Sequence, residues 1–251
     1  MIYFASDFHL GIDADRTSRE RERQLVRWLT HIQADAEAIY LMGDLFFWFD
    51  YKRVVPKGYI RFLGKLAELR DRGIPIYFFT GNHDMWMFDY FEKELAIPIY
   101  REPQVLTLKG KTFFIGHGDG KGPSDYGYKR LKKIFANPLC QWLFARLHPN
   151  FGIWLAEKWI VASKGKEPQP DQFVSLEEEW LYQYACRKSE EIVADYFLFG
   201  HRHLPIDALL PNGTSRYLNT GDWLFHNSYL AFDGEEVRHL FFDSGREVVY
   251  S

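Results

Sequence analysis

Five short apolar runs in this chain each end on a small cluster of glycine, carboxylate, amide and imidazole, and that repeated ending constrains the fold more than any other feature. Ile2 to Ala5 leads into Asp7-Phe8-His9, Ala38 to Met42 into Gly43-Asp44, and Ile74 to Thr80 into Gly81-Asn82-His83-Asp84. Thr112 to Ile115 leads into Gly116-His117-Gly118-Asp119, and Tyr196 to Phe199 into Gly200-His201-Arg202-His203. Runs of this length, rich in β-branched and aromatic residues, read as buried strands. Helical patterns separate the first three. Thr17 and Ser18 can cap a helix to about Gln33 with Leu25, Trp28, Leu29 and Ile32 on one face, and Lys57 to Arg72 is amphipathic and closed by Gly73. The order is βαβαβ, which predicts an α/β layered fold. Ligand sites in open α/β sheets assemble outside the carboxyl ends of the strands, so the five blocks are expected to converge.

Farther along, Val105 to Leu108 and Thr112 to Gly116 flank Lys109-Gly110-Lys111 and predict a hairpin. From Ser124 to about Val193 the pattern turns helical, with turns near Asn137-Pro138 and His148-Pro149-Asn150 and a polar loop from Lys164 to Gln172. Strands are expected again at Tyr196 to Phe199, Arg216 to Asn219, Tyr229 to Phe232, Val237 to Phe242 and Glu247 to Tyr250. The economical reading is one domain over residues 1–251 with a helical insertion over 121–195. Thirty-one Lys and Arg against 34 Asp and Glu leave a net charge of -3, which argues against a nucleic-acid partner. Cys140 and Cys186, without CxxC or Cys/His spacing, read as reduced thiols of a cytosolic protein. There is no basic n-region before the first apolar run and no stretch of roughly 18 apolar residues. The expectation is a cytoplasmic chain, with peripheral contact at the inner membrane left open.

Asp7, His9, Asp44, Asn82, His117, His201 and His203 are potential metal ligands. Imidazole, carboxylate and one amide, without thiolate, suit Mn, Fe, Zn, Ni or Co better than calcium or a soft metal. Seven donors are too many for one tetrahedral ion and enough for two, and a carboxylate such as Asp44 can bridge ions about 4 Å apart. Such a pair acidifies a shared water enough to supply hydroxide for in-line attack on phosphorus, and it neutralises charge on the phosphoryl oxygens. Any one block alone reads as a turn or a cap. Five in order, each after a strand and together carrying five of the nine histidines, do not.

In order and spacing the blocks resemble the calcineurin-like metallophosphoesterase superfamily, whose pattern is D-x-H, G-D, G-N-H-[DE], [GA]-H and G-H-x-H. The resemblance spans residues 5–203. It implies a four-layer α/β sandwich with two divalent metal ions at one sheet edge, manganese first, with iron or zinc open. Asp7, His9, Asp44 and His203 would hold one ion, and Asp44, Asn82, His117 and His201 the other. His83, oriented by Asp84, would stabilise the phosphoryl oxygens or protonate the leaving group. Within the superfamily the chain is similar to the pyrophosphohydrolases of UDP-2,3-diacylglucosamine, a lipid A pathway family that releases UMP and lipid X. Gly43-Asp44-Leu45-Phe46, the run Asp125-Tyr126-Gly127-Tyr128 after His117-Gly118-Asp119, and Ala162-Ser163-Lys164 carry this similarity. It implies an amphiphilic nucleotide-sugar lipid as substrate, with contacts from Asn82, His83, Asp125, Ser163, Lys164 and His201. His83 stands where proteobacterial members carry Arg. That keeps open a phosphoesterase of the same fold acting on a nucleotide or phosphoprotein; a non-catalytic scaffold, which loss of ligands would mark, is the third reading.

Aromatic residues are abundant at 18% and cluster behind two of the aspartates. Phe46, Phe47, Trp48, Phe49 and Tyr51 follow Asp44, and Trp86, Phe88, Tyr90 and Phe91 follow Asp84. Either they line the route to the ions as an apolar rim, or they are core beneath the insertion's helices. On the insertion, Ile134, Leu139, Leu143, Leu147, Ile153, Leu155, Trp159 and Ile160 beside Lys129, Arg130, Lys132 and Lys133 make an apolar face bordered by cations. Such a face can rest on an anionic membrane leaflet or pack on the domain.

Overall fold

A computed structural model describes residues 1–46, 54–55, 57–122, 133–164, 170–245 and 247–251, and only the backbone of 156–157 and 159–164. Phe47, Trp48, Phe49, Tyr51, Asp125, Tyr126, Tyr128, Lys129, Arg130 and Lys132 lie outside the described residues.

The first three apolar runs form β1 (Ile2–Ala5), β2 (Ala38–Leu41) and β3 (Ile76–Phe79), paired in parallel with Ile2 opposite Ala38 and Ile39 opposite Ile76. Between them run α1 (Ser18–Ile32) and α2 (Ile60–Asp71). A capping box starts α1: the Thr17 hydroxyl accepts from the Glu20 amide, and the Glu20 carboxylate accepts from the Thr17 amide at 2.9 Å. The second helix starts three residues later than its sequence pattern, because Gly58 and Tyr59 are left-handed, with φ of 121° and 59°.

Next come α3 (Tyr90–Leu95), β4 (Ile99–Tyr100), and the hairpin of β5 (Gln104–Leu108) and β6 (Lys111–Ile115). That hairpin turns at Lys109 and Gly110, both at positive φ as a type I′ turn requires. Within the expected insertion lie α4 (Pro138–Phe144), α5 (Pro149–Lys164) and α6 (Trp180–Ser189). The chain closes with β7 (Tyr196–Phe199), β8 (Pro205–Leu209), β9 (Arg216–Thr220), β10 (Ser228–Phe232) and β11 (Val237–Phe241). One sheet has the order β11-β10-β1-β2-β3-β4 and the other β5-β6-β7-β9-β8.

Both faces of each sheet are covered, which is why the strands read as unbroken apolar runs rather than alternating ones. Ile2, Phe4, Tyr40 and Phe79 point from the first sheet toward Phe113, Ile115, Tyr196 and Leu198 of the second. Tyr3, Ala5, Ile39 and Leu41, of opposite parity, pack with Trp28 and Leu29 of α1 and Phe62 and Leu66 of α2. Leu181 and Ala185 of α6 cover the outer face of the second sheet. The result is the α/β/β/α sandwich that the sequence implied.

Two expectations need correction, and one strand was not expected. The strand expected over 247–250 is only a single bridge, Tyr250 to Ile206, with Val248 and Val249 exposed; one residue reaches the edge of β8, where Tyr250 exchanges backbone hydrogen bonds with Pro205 and Asp207. Conversely, β8 escapes the sequence pattern because it opens on Pro205 and carries Asp207, paired with Arg216. The polar loop expected from Lys164 to Gln172 runs on, since residues 170–179 are not helical and α6 begins only at Trp180. Cys140 and Cys186 are free thiols, as expected.

Candidate dimetal centre

Every polar block leaves the carboxyl end of a strand. Asp7 and His9 follow β1, Asp44 follows β2, Asn82 to Asp84 follow β3, His117 follows β6, and His201 and His203 follow β7. Asp7, His9, Asp44, His201 and His203 all have positive φ, between 45° and 67°. A left-handed conformation costs a non-glycine residue about 1 kcal/mol or more, so five in one place mark a site where the surroundings dictate the backbone. Backbone bonds lock these turns together: Asp7 and His9 amides donate to the carbonyls of Gly43 and Asp44, both at 3.0 Å, and the Gly200 amide to that of His117 at 3.0 Å. The His201 amide donates to Asp7 Oδ2 at 2.9 Å, joining the two sheets at the site. Glycine is needed where the turns close: a Cβ on Gly81 would lie 2.1 Å from Asp44 Oδ1, and one on Gly43 2.7 Å from His117 Nδ1.

The side chains converge in two clusters, Asp7-His9-His203 and Asp44-His117-His201, linked by a third group in which His9, Asp44 and His83 meet. In the first, Asp7 Oδ1 lies 3.3 Å from His203 Nε2 and 3.5 Å from His9 Nε2, and the two imidazole nitrogens are 3.1 Å apart. In the second, Asp44 Oδ2 lies 3.4 Å from His117 Nε2, and Asp44, His117 and His201 offer donor atoms within 4.8 Å of one another. Asp44 Oδ2 is also 3.9 Å from both His9 Nε2 and His83 Nε2. Asn82 Oδ1 and His117 Nε2 are buried and make no hydrogen bond among the described residues. Buried polar atoms are normally satisfied, and an orphaned imidazole nitrogen 3.4 Å from a carboxylate, with an orphaned amide oxygen on the turn after β3, fits cations rather than hydrogen bonds. The donor set therefore fits two divalent ions, with Asp44 Oδ2 facing both clusters.

Electrostatics agree. Burial alone would raise the carboxyls of Asp7 and Asp44, but the surrounding imidazoles outweigh it and hold both well below the usual carboxylate range. Burial likewise pushes His117 down, and Asp44 and Asp7 overcome it to lift the ring to about 10. Burial, with His117 adding to it, pushes His201 down to about 3. The two fully buried carboxylates are held ionised by positive charge on the imidazoles, a place that a bound cation would take over.

A supporting ring of residues orients these donors. The His117 Nδ1 hydrogen donates to the Met42 carbonyl at 2.9 Å, which fixes the tautomer that leaves Nε2 for a ligand. Asp44 Oδ1 accepts the His83 amide at 2.8 Å, which leaves Oδ2 for the clusters. Arg21, 1% exposed, donates to the carbonyls of Phe8 and His9, each at 2.7 Å, and to those of Ile12 and Arg16. It braces the loop that carries Asp7 and His9, and burial pushes its pKa down to about 10. Asp222, buried after β9, places Oδ2 3.8 Å from His203 Nδ1 and accepts from His226 Nδ1 at 3.0 Å through Oδ1. Arg202, inside the last block, is turned away by a two-oxygen contact with Glu179 at 2.9 and 3.0 Å.

Neither Arg21 nor Asp222 is among the residues expected at the site. Arg21 carries no sequence signal, since an arginine near the start of a helix reads as solvated charge. Asp222 does carry one: Gly221-Asp222 follows β9 as Gly43-Asp44 follows β2. Asp222→Asn keeps shape and hydrogen bonding to His226 but removes the charge beside His203, so its affinity for Mn(II) is expected to fall about 10- to 100-fold with an unchanged circular dichroism spectrum. Metal titration by calorimetry measures this, and wild-type affinity would show that Asp222 does not position His203.

Two site expectations change. Asp84 does not orient the His83 ring: its Oδ1 accepts the Gly81 amide at 2.7 Å and its Oδ2 the Leu45 amide at 2.8 Å. It ties the turns after β2 and β3 together, and burial with the Asp44 charge pushes its carboxyl up to about 7. Of the aromatics behind the aspartates, the described Phe46 and Phe91 are core rather than rim. Phe46 and Phe91 are fully buried in the core against α2 and β3, and the Trp86 indole donates to the Phe135 carbonyl at 2.9 Å with its ring edge-on to Phe144 at 5.0 Å. Trp86 thus anchors the insertion. Among the expected substrate contacts, His83 and His201 stand at the clusters, Asn82 adjoins His83 with its side-chain oxygen buried, Asp125 lies outside the described residues, and Ser163 and Lys164 end α5 with only their backbone described.

Residues 1–205 match the family model described as calcineurin-like phosphoesterase. A UDP-2,3-diacylglucosamine hydrolase of Porphyromonas gingivalis is 40% identical over 247 residues, covering 93% of this chain and 94% of that protein. A protein of the same description from Aeromonas salmonicida is 30% identical over 244 residues, covering 94% of this chain and 91% of its own. With a match that runs from the first strand through the last of the histidine blocks, the chain belongs to the calcineurin-like phosphoesterase family and is a metal-dependent hydrolase.

Proposed function

We propose that the protein hydrolyses the pyrophosphate of UDP-2,3-diacylglucosamine, releasing UMP and the 1-phosphate of the diacylated sugar. The observation that carries this reading is the 40% identity to a hydrolase of that substrate over nearly the full length of both chains. Asp7, His9, Asp44 and His203 would hold one divalent ion, and Asp44, Asn82, His117 and His201 the other; manganese would suit this nitrogen and oxygen donor set. Bound there, the ions supply a water acidic enough to lose its proton near neutral pH and a counter-charge for the phosphoryl oxygens. Hydrolysis forms a bond from a water oxygen to the α-phosphorus and breaks the bond from that phosphorus to the bridging oxygen, which leaves with the sugar 1-phosphate while the proton lost by the water passes to solvent. His83 stands 3.9 Å from Asp44 Oδ2 and donates to the phosphoryl oxygens as charge builds on them.

The insertion over 121–195 gives the lipid half its place. Leu139, Trp142 and Leu143 of α4 and Phe151 and Trp154 of α5 are each about half exposed or more, an unusual concentration for a soluble surface. Arg146 lies over the Trp142 ring at 4.3 Å, putting a cation on the same face. An apolar face with a cationic border supports contact with acyl chains and an anionic leaflet, hence peripheral work at the cytoplasmic side of a membrane. No helix among the described residues is long and apolar enough to cross one.

Incubating the Mn(II)-loaded protein with UDP-2,3-diacylglucosamine in ¹⁸O-labelled water is expected to release UMP carrying the label. No turnover of that lipid while a model phosphodiester is cleaved would overturn the substrate.

A further inference from the structure

The last of the histidine blocks faces two ways. His201 and His203 stand at different clusters, whereas Arg202 between them reaches away to Glu179. Its Nε donates to Glu179 Oε1 at 2.9 Å and Oε2 at 3.0 Å, and Glu179 is only 3% exposed. Both histidines have positive φ, 67° and 56°, and the Arg202 amide donates to the Gly200 carbonyl at 2.8 Å. A turn of this kind persists only where its surroundings hold it, and a grip on the middle side chain sets the direction of the two beside it.

Glu179 is itself firmly held. It is the N-cap of α6, where its side chain accepts from the Leu181 amide, and its own amide donates to the carbonyls of Ser175 and Leu176 at 3.1 and 3.3 Å. The two residues after it bear on the site as well. The Trp180 ring lies edge-on to His201 with centroids 5.7 Å apart, and a Cβ on Gly118, beside His117, would lie 2.9 Å from Leu181 Cδ1. The start of α6 therefore meets the blocks that carry His117, His201 and His203.

We propose that Glu179 is a positioning residue for the metal centre, holding Arg202 so that His201 and His203 are delivered to their separate clusters. The proposal is independent of the substrate and rests on these two histidines being ligands. An exposed ion pair is lost at little cost, but removing the carboxylate from a pair buried at that end leaves the guanidinium uncompensated. Asp171 brings a carboxylate oxygen to 3.9 Å from Arg202 Nη1 and 4.0 Å from His203 Nδ1, so a freed guanidinium is drawn toward the His203 side and the turn moves with it.

The test is Mn(II) titration of the full-length protein by calorimetry, in the wild type, Glu179→Gln, Arg202→Met, the double variant and His203→Ala, with circular dichroism on each. Each single change in the pair is expected to weaken Mn(II) about 10- to 100-fold with the helical signal kept, and the double variant to bind no more weakly than the weaker single one. If Glu179→Gln loses helical signal because the cap of α6 is gone, Arg202→Met, which leaves the cap in place, carries the test. Wild-type affinity in Arg202→Met, or losses that add in the double variant, overturns the proposal. The two readings fail separately. Weakened binding in His203→Ala with wild-type affinity in both pair variants removes the positioning role alone, and wild-type affinity in His203→Ala removes the ligand assignment beneath it.

Discussion

Asp44→Asn is expected to lower turnover by about 10³-fold or more and to reduce bound metal from two ions per chain to at most one. The reason is the division of labour between the two oxygens of this carboxylate. Oδ1 is occupied by the His83 amide at 2.8 Å, whereas Oδ2 faces His117 at 3.4 Å and His9 at 3.9 Å, so one atom serves both clusters. An amide is neutral and would offer no anionic oxygen to a cation in either cluster. The change is isosteric, and the turn is held by backbone bonds from His9 to Asp44 and from Asp7 to Gly43, so the fold is expected to persist. Elemental analysis and steady-state kinetics check the two halves of the expectation. Full activity with two ions retained would remove Asp44 from the bridging position.

His83→Gln is expected to behave differently, and the contrast between the two variants separates holding the ions from using them. The bond that positions Asp44 comes from the main chain of residue 83, which any substitution keeps. Loss of the imidazole therefore leaves both clusters intact. What disappears is a donor beside the reacting phosphoryl group, worth about 10²- to 10³-fold in rate. Two ions per chain with kcat reduced by that factor is the expected result. Metal content falling along with kcat would instead make His83 a ligand, a possibility its 3.9 Å distance from Asp44 Oδ2 makes worth measuring.

Much of this architecture is legible because the chain declares it locally. Strands buried on both faces leave no polar alternation, so Ile2 to Ala5 and Tyr196 to Phe199 read as strands from composition alone. The Thr17 and Glu20 capping box lies within one turn of sequence, and the Lys109-Gly110 hairpin announces itself by its glycine. The convergence of the blocks follows from topology, since parallel strands deliver their exits to one edge. What is not legible depends on partners distant in the chain. Only Ile99 and Tyr100 form β4, too few for a periodic signal, and their pairing with Phe78 and Phe79 creates the strand. Arg21 becomes a brace because the carbonyls of Phe8 and His9 turn toward it. Asp84 adjoins His83 in sequence, which suggests that it orients that ring, but its oxygens are taken by amides on two different turns. The aromatics show the same limit: Phe46 and Trp86 have similar sequence settings, yet one is core and the other grips the insertion.

Electron paramagnetic resonance of the wild-type protein loaded with Mn(II), with metal content measured on the same sample, tests most directly whether Asp44, whose Oδ2 faces both clusters, would serve two ions at once. Two ions per chain with an exchange-coupled spectrum that is lost in Asp44→Asn is the expected result. One ion per chain, or two that give the uncoupled six-line spectrum of isolated Mn(II), would contradict a centre in which a single carboxylate oxygen serves both metals.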